Sequence, residues 1–385
     1  MVSRDTFRRR PGIERLWDRH LPLLDFPAWL WLTGAAGFYR LGTAARLAYW
    51  RRMARAVRVP VISVGNLTVG GNSKTPFTIF LANRLQSRGL RVGIVSRGHG
   101  RTPTNDRARL VSNGGEMKLT VEEAGDEPAM MAKSFTGPIA VALRRIDGIE
   151  LLHSLGPLDA VILDDGFQHV RLKRNLDLVL VGAERGLGNG WMLPAGPMRE
   201  PIGAVRRADA VVLIDSGAGE SALTAGQMKR LAARPIIHAT VHPKALVASE
   251  RGAWREVGAS LTGRRVVAIS AIADPRGFYA TLHELDPELV EVLEFPDHHA
   301  YTHSDWQKIM QVMRNADVAI TTEKDLVKLE RFPFARDSLY AIRLAIEMRQ
   351  EDAAALDELI AEKIVPRQGA ERAMNYEAEV TANGD

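Results

Sequence analysis

The stretch Gly65-Asn66-Leu67-Thr68-Val69-Gly70-Gly71-Asn72-Ser73-Lys74-Thr75 lies between a short β-branched run and a helical pattern that opens at Pro76. Strand, Gly-rich turn, Lys-Thr and helix together form the context a phosphate-binding loop requires. Backbone N–H groups along residues 65–75 and the helix N-terminus would cradle phosphate oxygens. Lys74 would bridge the outer phosphates of ATP, and the Thr75 hydroxyl would ligate Mg²⁺. The usual pattern has Gly directly before the Lys, whereas this chain has Ser73. If that position needs a positive φ, Ser carries a steric cost there. The run Asp159 to Asp165 reads as a strand that ends in two acids, Asp164 and Asp165. Acids at the end of such a strand can hold Mg²⁺ beside phosphates.

Three further clusters stand out. Gly125-Asp126-Glu127-Pro128 opens a helix with adjacent carboxylates, which either complement the helix dipole or act on a substrate. Asp297-His298-His299 pairs imidazoles with a carboxylate. That arrangement suits an acid–base or orienting group better than a metal site, since adjacent His seldom face one metal; a structural role is also open. Thr322-Glu323-Lys324-Asp325 is the other marked cluster in this part of the chain.

These groups need a scaffold, and the patterning supplies one. Apolar β-branched runs at 59–65, 91–96, 159–165, 176–182 and 210–214 alternate with helical patterns. Residues 101–120 read as a polar loop, and residues 188–201 as a long Gly- and Pro-rich one, of the kind that is often functional. Alternation of this kind predicts an α/β fold with a doubly wound, mostly parallel sheet, like that of P-loop nucleoside triphosphatases. A small-residue stretch from Asp215 to Gly226 marks a boundary. Beyond it, strands are expected at 236–241, 266–272, 289–295, 318–321 and 338–342, and helices at 278–285, 304–313 and 352–364. The expected organisation is an N-terminal segment (1–55), a phosphate-binding core (56–215), a second, smaller α/β lobe (216–365) and a loose polar tail (366–385).

Composition narrows the function classes. The chain has no Cys, which excludes disulfides, Cys-ligated zinc and a thiol nucleophile. The net charge is +5, yet residues 1–60 hold 12 Arg against 4 acids, so the remainder is net negative. Trp17, Trp29, Trp31 and Trp50 lie in the same N-terminal stretch, around an apolar run from Phe26 to Phe38. That run is shorter than the ~20 apolar residues of a spanning helix. Basic flanks, indoles and an apolar middle suit a segment lying in a membrane interface with anionic lipids; a helical hairpin packed on the protein is the alternative. Charge confined to such a segment disfavours a nucleic-acid partner. No obligate protein partner is inferred.

Taken in order and spacing, the motifs resemble those of the tetraacyldisaccharide 4′-kinase family of lipid A synthesis over roughly residues 10–345. They are Val64 to Gly71, Lys74-Thr75-Pro76, Val95 to Gly98, Gly125 to Pro128, Asp164 to His169, Gly188 to Trp191, Leu193 to Glu200, Asp297 to Tyr301 and Thr322 to Asp325. The resemblance implies transfer of the ATP γ-phosphate to the 4′-hydroxyl of a tetraacylated disaccharide 1-phosphate, giving lipid IVA. It also implies a P-loop core, a second α/β lobe, an N-terminal membrane-binding helix and a peripheral or monotopic location on the cytoplasmic face of the bacterial inner membrane. By the same resemblance Asp126 matches the catalytic base and His298 its dyad partner. Glu127, Asp164 and Asp165 would surround Mg²⁺ with Thr75. Arg97, Arg144 and Arg199 are candidates for phosphate contacts. The residues leave open which of His298 and His299 faces inward; His298 is the one that aligns. A membrane-associated switch ATPase is the main alternative, but its loop carries a signature Lys where this chain has Val69. A GTP-binding switch is a second alternative, because Thr322 to Asp325 faintly resembles a guanine-reading motif whose Lys is one place off.

Overall fold

A single helix, α1 (Phe26–Arg52), opens the main body of the computed structural model, which describes residues 17, 26–70, 73–101, 107–217, 219–250, 252–333 and 338–364. The arginines from Arg8 to Arg19, Gly71 and Asn72 of the phosphate loop, and the tail 366–385 lie outside the described residues. α1 runs on past the apolar stretch because an Ala- and Leu-rich segment of high helix propensity follows it. It ends at Arg51 and Arg52, whose charges complement the negative end of the helix dipole. Residues 26–52 therefore form one continuous helix. Among the described residues no helix is long and apolar enough to cross a membrane.

The first half of the body follows as β1 (Val61–Asn66), α2 (Lys74–Gln86), β2 (Val92–Ser96), β3 (Arg109–Asn113), α3 (Val121–Ala124), α4 (Asp126–Ser134), β4 (Pro138–Val141), α5 (Arg145–Ser154), β5 (Ala160–Asp164), β6 (Leu176–Gly182) and β7 (Ala210–Asp215). The second half comprises α6 (Ala225–Leu231), β8 (Ile236–Glu250), β9 (Ala253–Val257), β10 (Arg265–Ser270), α7 (Arg276–Glu284), β11 (Glu288–Glu294), α8 (His303–Met313), β12 (Val318–Thr322), α9 (Glu323–Leu329), β13 (Leu339–Glu347) and α10 (Gln350–Lys363). All strands join one sheet, in the order β11-β10-β12-β13-β8-β7-β6-β1-β5-β2-β4-β3, with β9 attached to β8. The pairings are parallel except β3–β4, β8–β13 and β8–β9.

The reading of 101–120 as loop is corrected here. Residues 109–113 form β3, an edge strand antiparallel to β4. Strand β8 is also longer than expected and passes through Pro243, where the ladder to β13 shifts register. A proline lacks the N–H of a regular ladder, and a bulge accommodates that. Because β8 pairs β7 along its first part and β13 along its next, it carries the sheet from one half of the chain into the other.

Alternation along the strands sorts side chains to two faces. Ile62, Ile94 and Ile162 pack against Phe77, Leu81 and Leu85 of α2, Met131 of α4 and Leu356 and Ile360 of α10. Val61, Val95, Val161 and Leu163 pack on the opposite face against Ile149 and Leu152 of α5. Helices therefore cover both faces, as in a doubly wound sheet. β1 lies between β5 and β6, the point at which the chain reverses its direction of travel across the sheet. Ligands bind beyond the strand ends at such a point.

Candidate active site

The turn after β1 is held open by its neighbours. The Gly65 backbone passes so close to Phe167 that a Cβ there would come within 2.6 Å of the Phe167 Cβ. On its outer side the loop is laced to the Gly- and Pro-rich segment. Val69 N–H donates to the Pro197 carbonyl (2.8 Å), Arg199 N–H donates to the Leu67 carbonyl (2.8 Å), and Thr68 forms a β-bridge with Met198. Gln168 ties in beneath, donating to the Asn66 carbonyl (2.9 Å) and to buried Glu200 (3.2 Å). Buried Asn66 directs its amide toward the Gly70 carbonyl (3.5 Å). Ser73 caps α2 with φ 51° and ψ 30°, so the position does require the left-handed region. Lys74 follows in the first turn of α2. Its ammonium lies 3.4 Å from the Gly70 carbonyl and 3.7 Å from Asp165. Thr75, one residue on, is buried.

The two acids at the end of β5 face different surroundings. Asp164 is buried and accepts from Ser96 (3.0 Å) and Thr78 (3.4 Å). Burial, with the neighbouring charges of Glu127 and Asp165, pushes its carboxyl up to about 7 against the pull of Lys74. Asp165, with φ 50°, turns the other way. Burial would raise it too, but Lys74 and Arg199 prevail and hold it at about 2. Arg199 Nη1 reaches both of its oxygens, at 2.9 and 2.8 Å. Arg145 lies buried behind the pair and donates to the Ala142 carbonyl (2.7 Å) and toward the Asp164 carbonyl (3.4 Å).

This set bears on Mg²⁺. Among the described residues no group of three or more His, Asp or Glu side chains forms a ready metal cage. Mg²⁺ beside a nucleotide asks for less: one or two carboxylates, with phosphates and water completing the shell. Asp164 is an acid whose charged form is opposed by Glu127 and Asp165. A divalent cation would relieve that repulsion, so the donor set fits the ion.

The second cluster forms where α4 packs on α9. Asp126 opens α4 and accepts from His298 Nδ1 at 3.2 Å and from Lys328 Nζ at 3.3 Å. Burial would raise its carboxyl, but the His298 hydrogen bond and the charges of Lys328 and Lys324 bring it below the ordinary value. His298 has φ 59°, a turn that directs its ring toward α4. Its Nε2 meets Lys324 Nζ at 3.2 Å, and its ring lies edge-on to His99 at 5.3 Å. Lys324 also approaches Asp297 (3.4 Å) and Glu127 (3.8 Å). His299 takes the other direction: it stacks on Phe295 and bonds Asp305 at 3.0 Å. The choice left open between the two imidazoles thus resolves in geometry, with His298 alone on Asp126.

The structure brings Gly65, Asn66, Thr68, Val69, Gly70, Ser73, Lys74 and Thr75 into one turn. The acids Glu127, Asp164 and Asp165 stand beside it, and Asp126 and His298 meet at the start of α4. Of the three arginines singled out, Arg199 belongs to the site through Asp165. Arg97 is exposed, and Arg144 is largely exposed with Asp147 as its partner (3.5 Å). Sequence reasoning missed Lys328 and assigned no role to Lys324. Their signal was the i,i+4 spacing after Thr322, which puts both ammonium groups on one face of α9. Asp325, fully buried, fixes Lys328 at 3.0 Å while it accepts from Ala271 N–H (2.9 Å) and Thr322 (2.8 Å).

Comparison with known proteins points the same way. The family model LpxK, tetraacyldisaccharide-1-P 4′-kinase, matches residues 28–365. The tetraacyldisaccharide 4′-kinase of Syntrophus aciditrophicus is 37% identical over 92% of this chain and 98% of its own length. That of Anaeromyxobacter sp. (strain K) is 40% identical over 92% and 97%. Among solved structures, LpxK from Aquifex aeolicus in complex with ATP superimposes with a TM-score of 0.68 at 30% identity, covering 86% of this chain and 98% of that one.

Proposed function

Because the chain belongs to the family of tetraacyldisaccharide-1-phosphate 4′-kinases, we propose that the residues gathered at β1, β5, α4 and α9 perform that family's reaction in the roles set out below. The protein is an ATP-dependent kinase of lipid A biosynthesis that phosphorylates the 4′-hydroxyl of a lipid disaccharide 1-phosphate. The 4′-oxygen attacks the γ-phosphorus and a new O–P bond forms. The bond from the γ-phosphorus to the β–γ bridging oxygen breaks, and its electron pair leaves with ADP. The hydroxyl proton passes to Asp126.

Asp126 suits the task because its neighbours keep it ionised at neutral pH while His298 orients it. A sugar hydroxyl is a poor nucleophile, and removing its proton as attack develops contributes about 10²–10⁴-fold. Lys328 and Lys324 flank the dyad, and their charges favour the ionised form of Asp126. Lys74 turns from the Gly70 carbonyl toward the outer phosphates when nucleotide enters. Mg²⁺, held by Thr75, Glu127, Asp164 and Asp165, would neutralise charge on the β- and γ-phosphates. The halves 56–215 and 216–365 act as two lobes that close on substrate. The exposed apolar side of α1, with Leu30, Trp31, Phe38 and Leu41, lies in the cytoplasmic face of the inner membrane among anionic lipids, where the acceptor resides.

The observation that supports this reading most is the junction of Asp126 with His298 and Lys328 beside a phosphate-binding turn. The test is transfer of labelled γ-phosphate from ATP to tetraacyldisaccharide 1-phosphate in detergent micelles with Mg²⁺. The reading predicts a labelled bisphosphate lipid. ATP hydrolysis without label in the lipid would overturn it in favour of a membrane-associated switch ATPase.

A further inference from the structure

Gly70 is flanked by two cations. Lys74 approaches its carbonyl, and Arg185 lies over its α-carbon: a methyl group placed there would come within 2.9 Å of both terminal guanidinium nitrogens. Arg185 comes from the turn after β6, the strand paired with β1, so its backbone begins beside the phosphate loop. That turn is built from Gly186, Gly188 and Gly190, all at positive φ, and closes by a Gly186 N–H bond to the Gly182 carbonyl. The Arg185 side chain is 27% exposed, enough to reach an incoming ligand.

Its other partner comes from the opposite half of the chain. Arg185 Nε lies 3.5 Å from Asp274 Oδ2, in the loop between β10 and α7. Asp274 is shared with Arg276, which bonds both its oxygens at 2.8 and 2.6 Å. One carboxylate thus serves two guanidinium groups. Switch ATPases place a second loop cation one residue before the paired glycines. Here that residue is Val69, and Arg185 delivers its charge to the neighbouring Gly70 from another loop.

We propose that Arg185 is a catalytic residue of the phosphoryl transfer, donating to the triphosphate of ATP opposite Lys74, and that Asp274 is the positioning residue that aims it. The inference rests on the kinase reading above. As the bond to the β–γ bridging oxygen breaks, negative charge grows on the leaving ADP oxygens. A prealigned guanidinium there stabilises that charge without reorganising. Because Asp274 belongs to the second half, the aim of Arg185 depends on how the two halves stand to one another.

The test compares the unaltered chain with Arg185→Ala, Arg185→Lys and Asp274→Asn. Each is measured for kcat, KM for ATP, and affinity for ADP and for a non-hydrolysable ATP analogue. Loss of one prealigned donor predicts a kcat about 10²–10³-fold lower in Arg185→Ala, with ADP affinity within about threefold. The preference for the ATP analogue over ADP should shrink, Arg185→Lys should recover part of kcat, and Asp274→Asn should lose kcat less than Arg185→Ala. A near-normal kcat in Arg185→Ala, or ADP affinity falling in parallel with kcat, would overturn the assignment. Absence of transfer by the unaltered chain would instead overturn the kinase reading beneath it.

Discussion

Ser73 is the residue whose chemistry and conformation disagree most openly. A non-glycine residue in the left-handed region costs about 1–2 kcal/mol, and Ser73 sits there at the N-terminus of α2. Ser73→Gly removes that strain where the loop must shape itself to phosphate. The variant should lower the apparent KM for ATP; steady-state kinetics showing an unchanged or raised KM would contradict this. Asp164 poses an electrostatic problem instead. Its carboxyl is raised to about 7, so the folded, nucleotide-free chain binds a proton there that the unfolded chain has already lost. That contribution is full below the ordinary carboxylate range and is lost as pH rises through about 7. Asp164→Asn should therefore raise the thermal midpoint at pH 8 and change it little at pH 5. Equal shifts at both pH values would refute the assignment. Asp126 is shifted downward with help from Lys324 and Lys328. Lys324→Met should raise its pKa and move the acid limb of the kcat–pH profile to higher pH, leaving an alkaline plateau. A limb that stays in place would show that Lys324 does not act on Asp126.

At the scale of elements, the part of the candidate site at β1 and β5 was legible because its signals are local. Gly-rich turn, Lys-Thr and the acids ending β5 each occupy a few consecutive residues. The site's other half is tertiary. Asp126 and Lys328 meet only because α4 packs on α9, and no pattern within either helix announces the other. Likewise nothing in Leu193 to Glu200 says that the segment pairs with the phosphate loop, although its Gly and Pro content marked it as irregular. β3 escaped notice because Leu110 and Val111 are its only neighbouring apolar pair, and an edge strand needs no more. β8 runs further than expected because a register shift carries the strand past Pro243. Asx and His residues at positive φ, Asp165 and His298, are also invisible locally; the packing around them sets the turn.

Across the whole molecule, the N-terminal segment and the candidate site are joined by direct contacts. Trp17 Nε1 donates to the Pro194 carbonyl (2.9 Å), and Trp29 meets Trp191 edge-on at 5.2 Å. Both contacts fall on the loop whose next residues pair with the phosphate-binding turn. At its other end α1 is fixed by Trp50, on which the Arg171 guanidinium stacks at 3.4 Å. Between these anchors Trp31 is 84% exposed and Phe38 80%. Trp31→Asp with Phe38→Asp should reduce cosedimentation with vesicles containing anionic lipid while leaving ATP binding intact. Unchanged sedimentation would remove α1 from the membrane account. The account as a whole turns on one carboxylate assembled by both halves of the chain. The most direct measurement is single-turnover transfer to the lipid acceptor by Asp126→Asn at saturating ATP, with nucleotide affinity measured on the same sample. The account predicts a rate about 10²–10⁴-fold below that of the unaltered chain with ATP binding preserved. Near-full transfer by Asp126→Asn would contradict it.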